Sequence, residues 1–136
     1  MNIIKFRIIS SEVDGFVRDI EIEETRSFYE LHLAIQAACE YDYSQMTCFY
    51  LSNKDWEKIR EITMMQMDDV EREDNLSPLF MRETLLKDYC NELGKRFLYI
   101  FDFFSVRTMF LEVVNIRKKT GKDSNLEFPL CTLSKG

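Results

Sequence analysis

An aspartate stands inside an apolar run of the chain, with Phe101 before it and Phe103 after it. A carboxylate among aromatic side chains must find hydrogen-bond donors or shift its pKa. For this residue, Asp102, a candidate donor is Arg107, which lies across a predicted turn. The two residues predict either a ligand-binding pair or an ion pair that holds the hairpin. The ion pair is the favoured interpretation because it requires no ligand.

The histidine and cysteine content excludes several kinds of site. His32 is the only histidine, and the four cysteines form no CxxC pair, so we expect no metal site and no cofactor. His32 and Cys39 lie two helical turns apart, with roughly 10 Å between Cβ atoms, too far for a thiolate–imidazole pair. We expect His32 to be a helix-surface or partly buried side chain, and the cysteines to be reduced thiols.

Exposed aromatic residues are candidates for contact with a protein partner. Trp56, the only tryptophan, follows a predicted turn, Phe103 ends a predicted strand, and Phe104 begins the turn after that strand. Together they predict an apolar partner surface. The alternative for Trp56 is packing over an edge of the sheet.

A short basic segment is the candidate for contact with nucleic acid. Its members are Arg117, Lys118, Lys119 and Lys122. They predict either phosphate contacts or a solvated charge run. The chain has 18 Lys and Arg against 24 Asp and Glu, a net charge of -6, which opposes binding to a phosphate backbone.

Length and composition limit the class of protein. At 136 residues with 46% hydrophobic residues, the chain fits one domain with a real core. No apolar run approaches the ~20 residues of a membrane helix. The N-terminal residues alternate as in a strand instead of forming a signal peptide. We therefore expect a cytoplasmic protein with no membrane contact.

Local patterns predict the elements that position these residues. Alternating apolar residues in 2–9 and 16–23 predict a β-hairpin. Ser27 and Glu30 form a capping box that begins a helix over 28–40. A second helix is predicted over 84–93, with Thr84 as N-cap and Gly94 after its end. The other predicted strands are 46–51, 59–65, 96–103 and 108–116.

These elements predict an α+β fold: a mixed or mainly antiparallel sheet of hairpins, with two helices packed on one face. Residues 1–116 form the predicted domain, and residues 117–136 an irregular C-terminal tail. The predicted core is Ile4, Phe6, Ile8, Ile20, Ile22, Leu31, Ile35, Phe49, Leu51, Leu85, Leu98, Ile100, Leu111 and Val113.

Three stretches, taken in order, resemble the plasmid pRiA4b ORF-3-like family, whose members are also described as mobile-element passenger proteins with a resolvase-like label. They are Leu31–Ala38 with Tyr41 and Asp42, Phe49–Glu57 with Glu61–Thr63, and Leu98–Phe103 with Leu111 and Glu112. The resemblance covers about residues 1–116. It implies no assigned biochemical activity, and the resolvase-like label does not transfer because no serine stands among clustered arginines.

The chain departs from the family where polar residues are expected. The family has Tyr-Asp-Phe-Gly-Asp followed by a Trp and a His, and Phe101, Asp102 and Phe103 represent its first three residues. Phe104, Ser105, Arg107 and Met109 replace the Gly, the second Asp, the Trp and the His, and Gln45 replaces the His of the first motif. This form, with Cys131–Gly136 at its end, resembles a divergent Bacteroides-type branch.

Together these observations predict a small, cytoplasmic, non-enzymatic protein-interaction module linked to plasmids or mobile elements, with an unidentified protein partner. The alternative is a nucleic-acid-binding accessory factor, for which Arg107 and the basic segment would converge on one face. An enzyme with a pocket around Asp102 is the third hypothesis. It has the least support because no His, acid and nucleophile set is visible.

Overall fold

Strands account for most of the regular secondary structure of this protein. The structure is a computed structural model that describes residues 1–40, 46–64, 78–101, 107–123 and 126–136. The two helices of these ranges are α1 (Phe28–Ala38) and α2 (Leu86–Tyr89). The strands are β1 (Asn2–Ser10), β2 (Val17–Glu23), β3 (Thr47–Ser52), β4 (Lys58–Thr63), β5 (Leu79–Phe80), β6 (Arg96–Phe101), β7 (Arg107–Lys118) and β8 (Leu130–Lys135).

These strands form one sheet in the order β5-β4-β3-β6-β7-β1-β2-β8. Every neighbouring pair is antiparallel except β4 and β5, which are parallel. The long pairing of β1 with β7 brings the N-terminal strand beside residues 107–118 within the sheet. The sheet is therefore mixed, with antiparallel pairs predominating.

The prediction of a balanced α+β fold was wrong, because half of the described residues lie in strands and only 16% in helices. The main reason is α2, which has four residues where ten were expected over 84–93. The Thr84 hydroxyl donates to the Phe80 carbonyl at 2.7 Å instead of capping a helix. Leu85, the N-cap, forms a β-bridge with Ser27 and has no side-chain cap.

The C-terminal residues, expected to be irregular, contribute to the sheet. β7 continues to Lys118, a 3₁₀ turn follows at Gly121–Asp123, and β8 pairs with β2 from Leu130 to Lys135. A register shift in this pairing leaves Thr132 without a partner on β2. β8 lies at one edge of the sheet, and its neighbour β2 also contacts α1.

The capping box predicted for α1 is confirmed. The Ser27 hydroxyl accepts the Glu30 backbone N–H at 3.2 Å, and a Glu30 carboxylate oxygen lies 3.4 Å from the Ser27 N–H. α1 packs on one face of the sheet through Phe28, Leu31 and Ile35, all fully buried. No helix in the described ranges is long and apolar enough to cross a membrane.

The core lies between α1 and the sheet, and most of its predicted members are buried there. Leu51 and Leu85 are only half-buried. On β6 the side chains that face α1 are Phe97, Tyr99 and Phe101, whereas the predicted Leu98 and Ile100 are buried on the opposite side. β6 is thus buried on both faces, and alternation could not show which face meets the helix.

Candidate functional site

Arg107, the predicted partner of Asp102, begins β7 and lies against the turn that follows β1. Its Nε is 3.0 Å from both carboxylate oxygens of Glu12. Its guanidinium lies 4.6 Å from the centre of the Phe101 ring. These contacts join the β1–β2 turn to the start of β7. Asp102 lies outside the described residues, so its pairing with Arg107 stays a prediction.

Trp56 lies in the turn between β3 and β4, where its backbone is left-handed with a φ of 64°. Its half-buried ring meets Phe110 edge-on with 5.0 Å between centroids, and the Arg96 guanidinium lies 4.7 Å from its centre. Trp56 is therefore packed against the sheet. Phe103 and Phe104 lie outside the described residues, so an aromatic partner surface shared with them stays a prediction.

A row of three carboxylates occupies the face of β2 that points away from α1. Asp19, Glu21 and Glu23 alternate along the strand and are only 3%, 8% and 8% exposed. Buried carboxylates require charged or hydrogen-bonding partners. The partner of Asp19 is Arg7 of β1, which donates two hydrogen bonds of 2.9 Å to its carboxylate.

The predicted basic segment supplies the other partners. Arg117 donates to Glu21 at 3.0 Å and to Asp123 at 2.9 Å, and Lys119 donates to Glu23 at 2.6 Å. Arg117 holds the pKa of Asp123 down at about 2, and Lys119 lowers the pKa of Glu23. Two of the four basic residues proposed for phosphate contact therefore neutralise acids of the same chain.

Lys118 and Lys122, the other two members of that segment, are exposed. The alternation of Asp19, Glu21 and Glu23, matched by Arg117 and Lys119 two positions apart, was the sequence signal for this internal pairing. The signal is not sufficient by itself, because nothing local in the sequence shows that β2 and the end of β7 flank β1.

Four polar side chains form a hydrogen-bonded cluster inside the protein, between α1 and strands β3 and β6. The Tyr99 hydroxyl lies 2.7 Å from His32 Nδ1 and accepts a 2.7 Å hydrogen bond from Gln36 Nε2. The Thr47 hydroxyl lies 3.2 Å from the same histidine nitrogen. The Tyr99 hydroxyl and His32 Nδ1 thus each meet two polar side chains of this cluster.

His32 is 2% exposed, so the expectation of a helix-surface or partly buried side chain was wrong. Burial lowers the pKa of His32 to about 4 and raises that of Tyr99. A histidine that stays neutral at physiological pH is a poor proton carrier there. Its visible role is to orient α1 on β3 and β6. The spacing of His32 and Gln36, beside the apolar stripe, could have indicated a polar line facing inwards.

The thiols give little support to nucleophilic chemistry. Burial raises the pKa of Cys39 to about 11 and raises that of Cys90 still further. A thiol acts as a nucleophile through its thiolate form, which such burial disfavours. Cys131, which is exposed, lies on β8.

An apolar groove of about 420 Å³ separates α1 from β8. The groove is lined by Ile20 of β2, by alanines of α1 and by residues at the start of β8. Glu30 is the charged residue of the lining. Sequence reasoning missed this groove because β8 was not predicted. The lining residues are Ile20, Glu30, Leu33, Ala34, Ala37, Ala38, Pro129, Leu130 and Cys131.

β8 borders this groove as an edge strand, since among the described strands its only neighbour is β2. It is six residues long, with proline before it and no proline within it, and Lys135 is its one charged residue. The opposite edge strand, β5, has only two residues. An edge strand of this kind presents backbone donors and acceptors to another extended segment.

Arg18 holds the far end of the groove together. Its guanidinium, on a residue that is 9% exposed, donates to the Ala38 carbonyl at 3.2 Å and to the Lys135 carbonyl at 2.6 Å. It also lies over the Phe16 ring, 4.1 Å from the centroid. One buried side chain thus ties the end of α1 to the end of β8.

Comparison with known protein families shows the family to which this chain belongs. The family model described as plasmid pRiA4b ORF-3-like protein matches residues 3–136. The chain belongs to this family. The match to the plasmid pRiA4b ORF-3-like family includes β8 and the residues that line the groove, beyond the 1–116 stretch that carried the resemblance. A search of curated proteins finds no match.

A solved structure of another protein has a fold similar to this one. It is the crystal structure of MM3350, a protein of unknown function from Methanosarcina mazei Go1. The two are 20% identical with a TM-score of 0.75, over 98% of this chain and 69% of that one. At this identity the similarity shows a common fold.

Proposed function

We propose that this member of the plasmid pRiA4b ORF-3-like family is a protein-interaction module that binds an extended segment of a partner protein. The segment adds to the sheet as a new strand beside β8. The observation that carries the proposal is the edge of β8 next to the apolar groove under α1, an edge that no other strand of the described ranges pairs with. Other peptide-recognition domains use the same principle: the backbone gives affinity, and an adjacent groove gives specificity.

The two edges of the sheet differ in the protection they carry. Natural sheets protect their edges with short strands, prolines, charges or bulges. β5 is short, whereas β8 combines six residues with a single charge at its end. Beyond that charge, the protection of β8 is the irregularity at Thr132. The β8 edge is therefore the favoured place for an added strand.

The charge distribution favours this function over nucleic-acid binding. Arg117 and Lys119 already pair with Glu21, Asp123 and Glu23. Releasing them for phosphates would leave those buried carboxylates unpaired, which is costly. The net charge of -6 adds a general repulsion.

The test is selection of random peptides of about ten residues, long enough to span β8, displayed on phage against the immobilised protein. We expect enriched peptides to bind the protein in solution and to slow backbone hydrogen exchange in Leu130–Lys135. Substituting Thr132→Pro should abolish binding, because it removes a backbone N–H from the edge strand at the one β8 position without a register partner on β2.

A second variant, Ala37→Arg, blocks the groove from an exposed helix position and leaves β8 unchanged. The matched control is Asn115→Arg, an exposed position on β7 outside the groove. It should bind the peptides as the wild type does. Selection of no peptides, or protection that maps away from β8, would overturn the proposal.

A further inference from the structure

We infer that the groove selects partner segments with large apolar residues at two alternate positions and a basic residue at the Glu30 end. The inference rests on the proposed strand addition at β8 and specifies its ligand. Strand addition recognises the backbone of the partner segment, and this inference concerns the side chains of that segment.

The alternation follows from the geometry of the added strand. Successive side chains of a strand point to opposite faces of a sheet, so every second residue of a segment beside β8 faces the α1 side. Ile20 and Cys131 are paired across β2 and β8, and both line the groove on that side. Residues two positions apart in the segment, about 7 Å, would therefore enter the same groove.

The size of the side chains follows from the walls. Ala34, Ala37 and Ala38 leave the α1 side of the groove open, and Leu33 and Leu130 extend its apolar surface. A cavity of about 150 Å³ is enough to hold one benzene-sized ring. The groove, at about 420 Å³, has room for two large apolar side chains.

The charge preference follows from Glu30. It is the only Asp, Glu, Lys or Arg in α1, it lines the groove, and its side chain is 37% exposed. Arg26 bonds one of its oxygens at 2.8 Å but is shared with Glu23. Glu30, in a chain with a net charge of -6, makes a basic residue favourable at this end and an acidic one unfavourable.

The experiment compares peptides selected on the wild type with those selected on Glu30→Gln, using the same random library. Glutamine at this helix position preserves the capping box and removes the charge. We expect Lys or Arg to be enriched at one end of the wild-type peptides. That preference should disappear on the variant, with about a threefold loss of affinity for the wild-type peptides. Asp55→Asn, an exposed carboxylate in the distant β3–β4 turn, is the control of equal charge.

Ala37→Phe tests the apolar part of the inference. It should weaken peptides carrying large alternate residues by at least about tenfold, and affect their alanine-substituted versions much less. Peptides that protect β8 but show neither alternation nor basic enrichment would overturn this inference and leave strand addition standing. Selection of no peptides, or protection elsewhere, would remove both.

Discussion

The Tyr99 hydroxyl and His32 Nδ1 lie 2.7 Å apart in the interior, although the two residues are 67 positions apart in the chain. The contact joins α1 to the middle of the sheet through a polar bond in an apolar core. Both groups also bond a third side chain, Thr47 for His32 and Gln36 for Tyr99. A satisfied buried network of this kind specifies one seating of the helix, and its loss leaves several groups unpaired.

The first prediction concerns the pH dependence of stability. The unfolded chain protonates His32 near pH 6.5, but the folded protein does so only near pH 4. Between these values the unfolded state binds more protons, so the free energy of unfolding should fall as the pH falls. The fully developed effect is about 3 kcal/mol. Urea unfolding between pH 7 and 4 would measure it.

The control for this prediction is His32→Asn, which removes the only histidine of the chain. The variant will be less stable at neutral pH because the Tyr99 hydroxyl loses one of its hydrogen-bond partners and keeps Gln36. Its stability should nevertheless change less than that of the wild type between pH 6.5 and 4. Parallel curves for the two proteins would show that His32 is protonated equally in the folded and unfolded states.

The second prediction concerns the Tyr99 hydroxyl. Tyr99→Phe keeps the ring in the core and leaves the Gln36 amide and His32 Nδ1 without this partner. Unsatisfied buried groups of this kind cost about 1–3 kcal/mol of stability. Tyr89→Phe is the control, since this half-buried hydroxyl bonds none of the described residues. Chemical denaturation that found equal losses for both variants would contradict the role given to the network.

The third prediction concerns the link between α1 and β8. Arg18→Met keeps the buried stem and removes the donors to Ala38 and Lys135. We expect a loss of about 1–3 kcal/mol in stability. Relative to the wild type, hydrogen exchange should accelerate more in β8 than in β1. Arg82→Met, which removes an exposed guanidinium stacked on Tyr29, is the control. Unchanged exchange in β8 would mean that its pairing with β2 is sufficient to hold it.

Local features of the sequence were enough to predict α1 and the first hairpin. The capping box of Ser27 and Glu30 and the alternation in β1 and β2 act over a few residues, and the structure contains them. On β6 the same reasoning chose Leu98 and Ile100 for the helix side. That choice failed because Tyr99 carries a hydroxyl whose partners lie on α1, which no local pattern reveals.

The groove could not be predicted for a related reason. β8 has no regular alternation, because a register shift interrupts its pairing at Thr132. Its partner β2 lies more than a hundred residues earlier, and Arg18 joins the two ends only in the folded protein. Long-range pairing creates both the edge strand and the groove. The resemblance to the family, which was traced over residues 1–116, stopped short of them.

The fourth prediction concerns the basic segment. Arg117→Gln removes the partner of Glu21 and Asp123, which are 8% and 4% exposed, so it should lower the melting temperature by several degrees. Lys118→Gln removes the same single positive charge at an exposed neighbouring position and should change the melting temperature little. Because the pKa of Asp123 is held at about 2, its stabilising contribution should persist above pH 4 and disappear as the pH falls towards 2. Equal melting temperatures for the two variants at neutral pH would mean that Arg117 is free to serve an external partner.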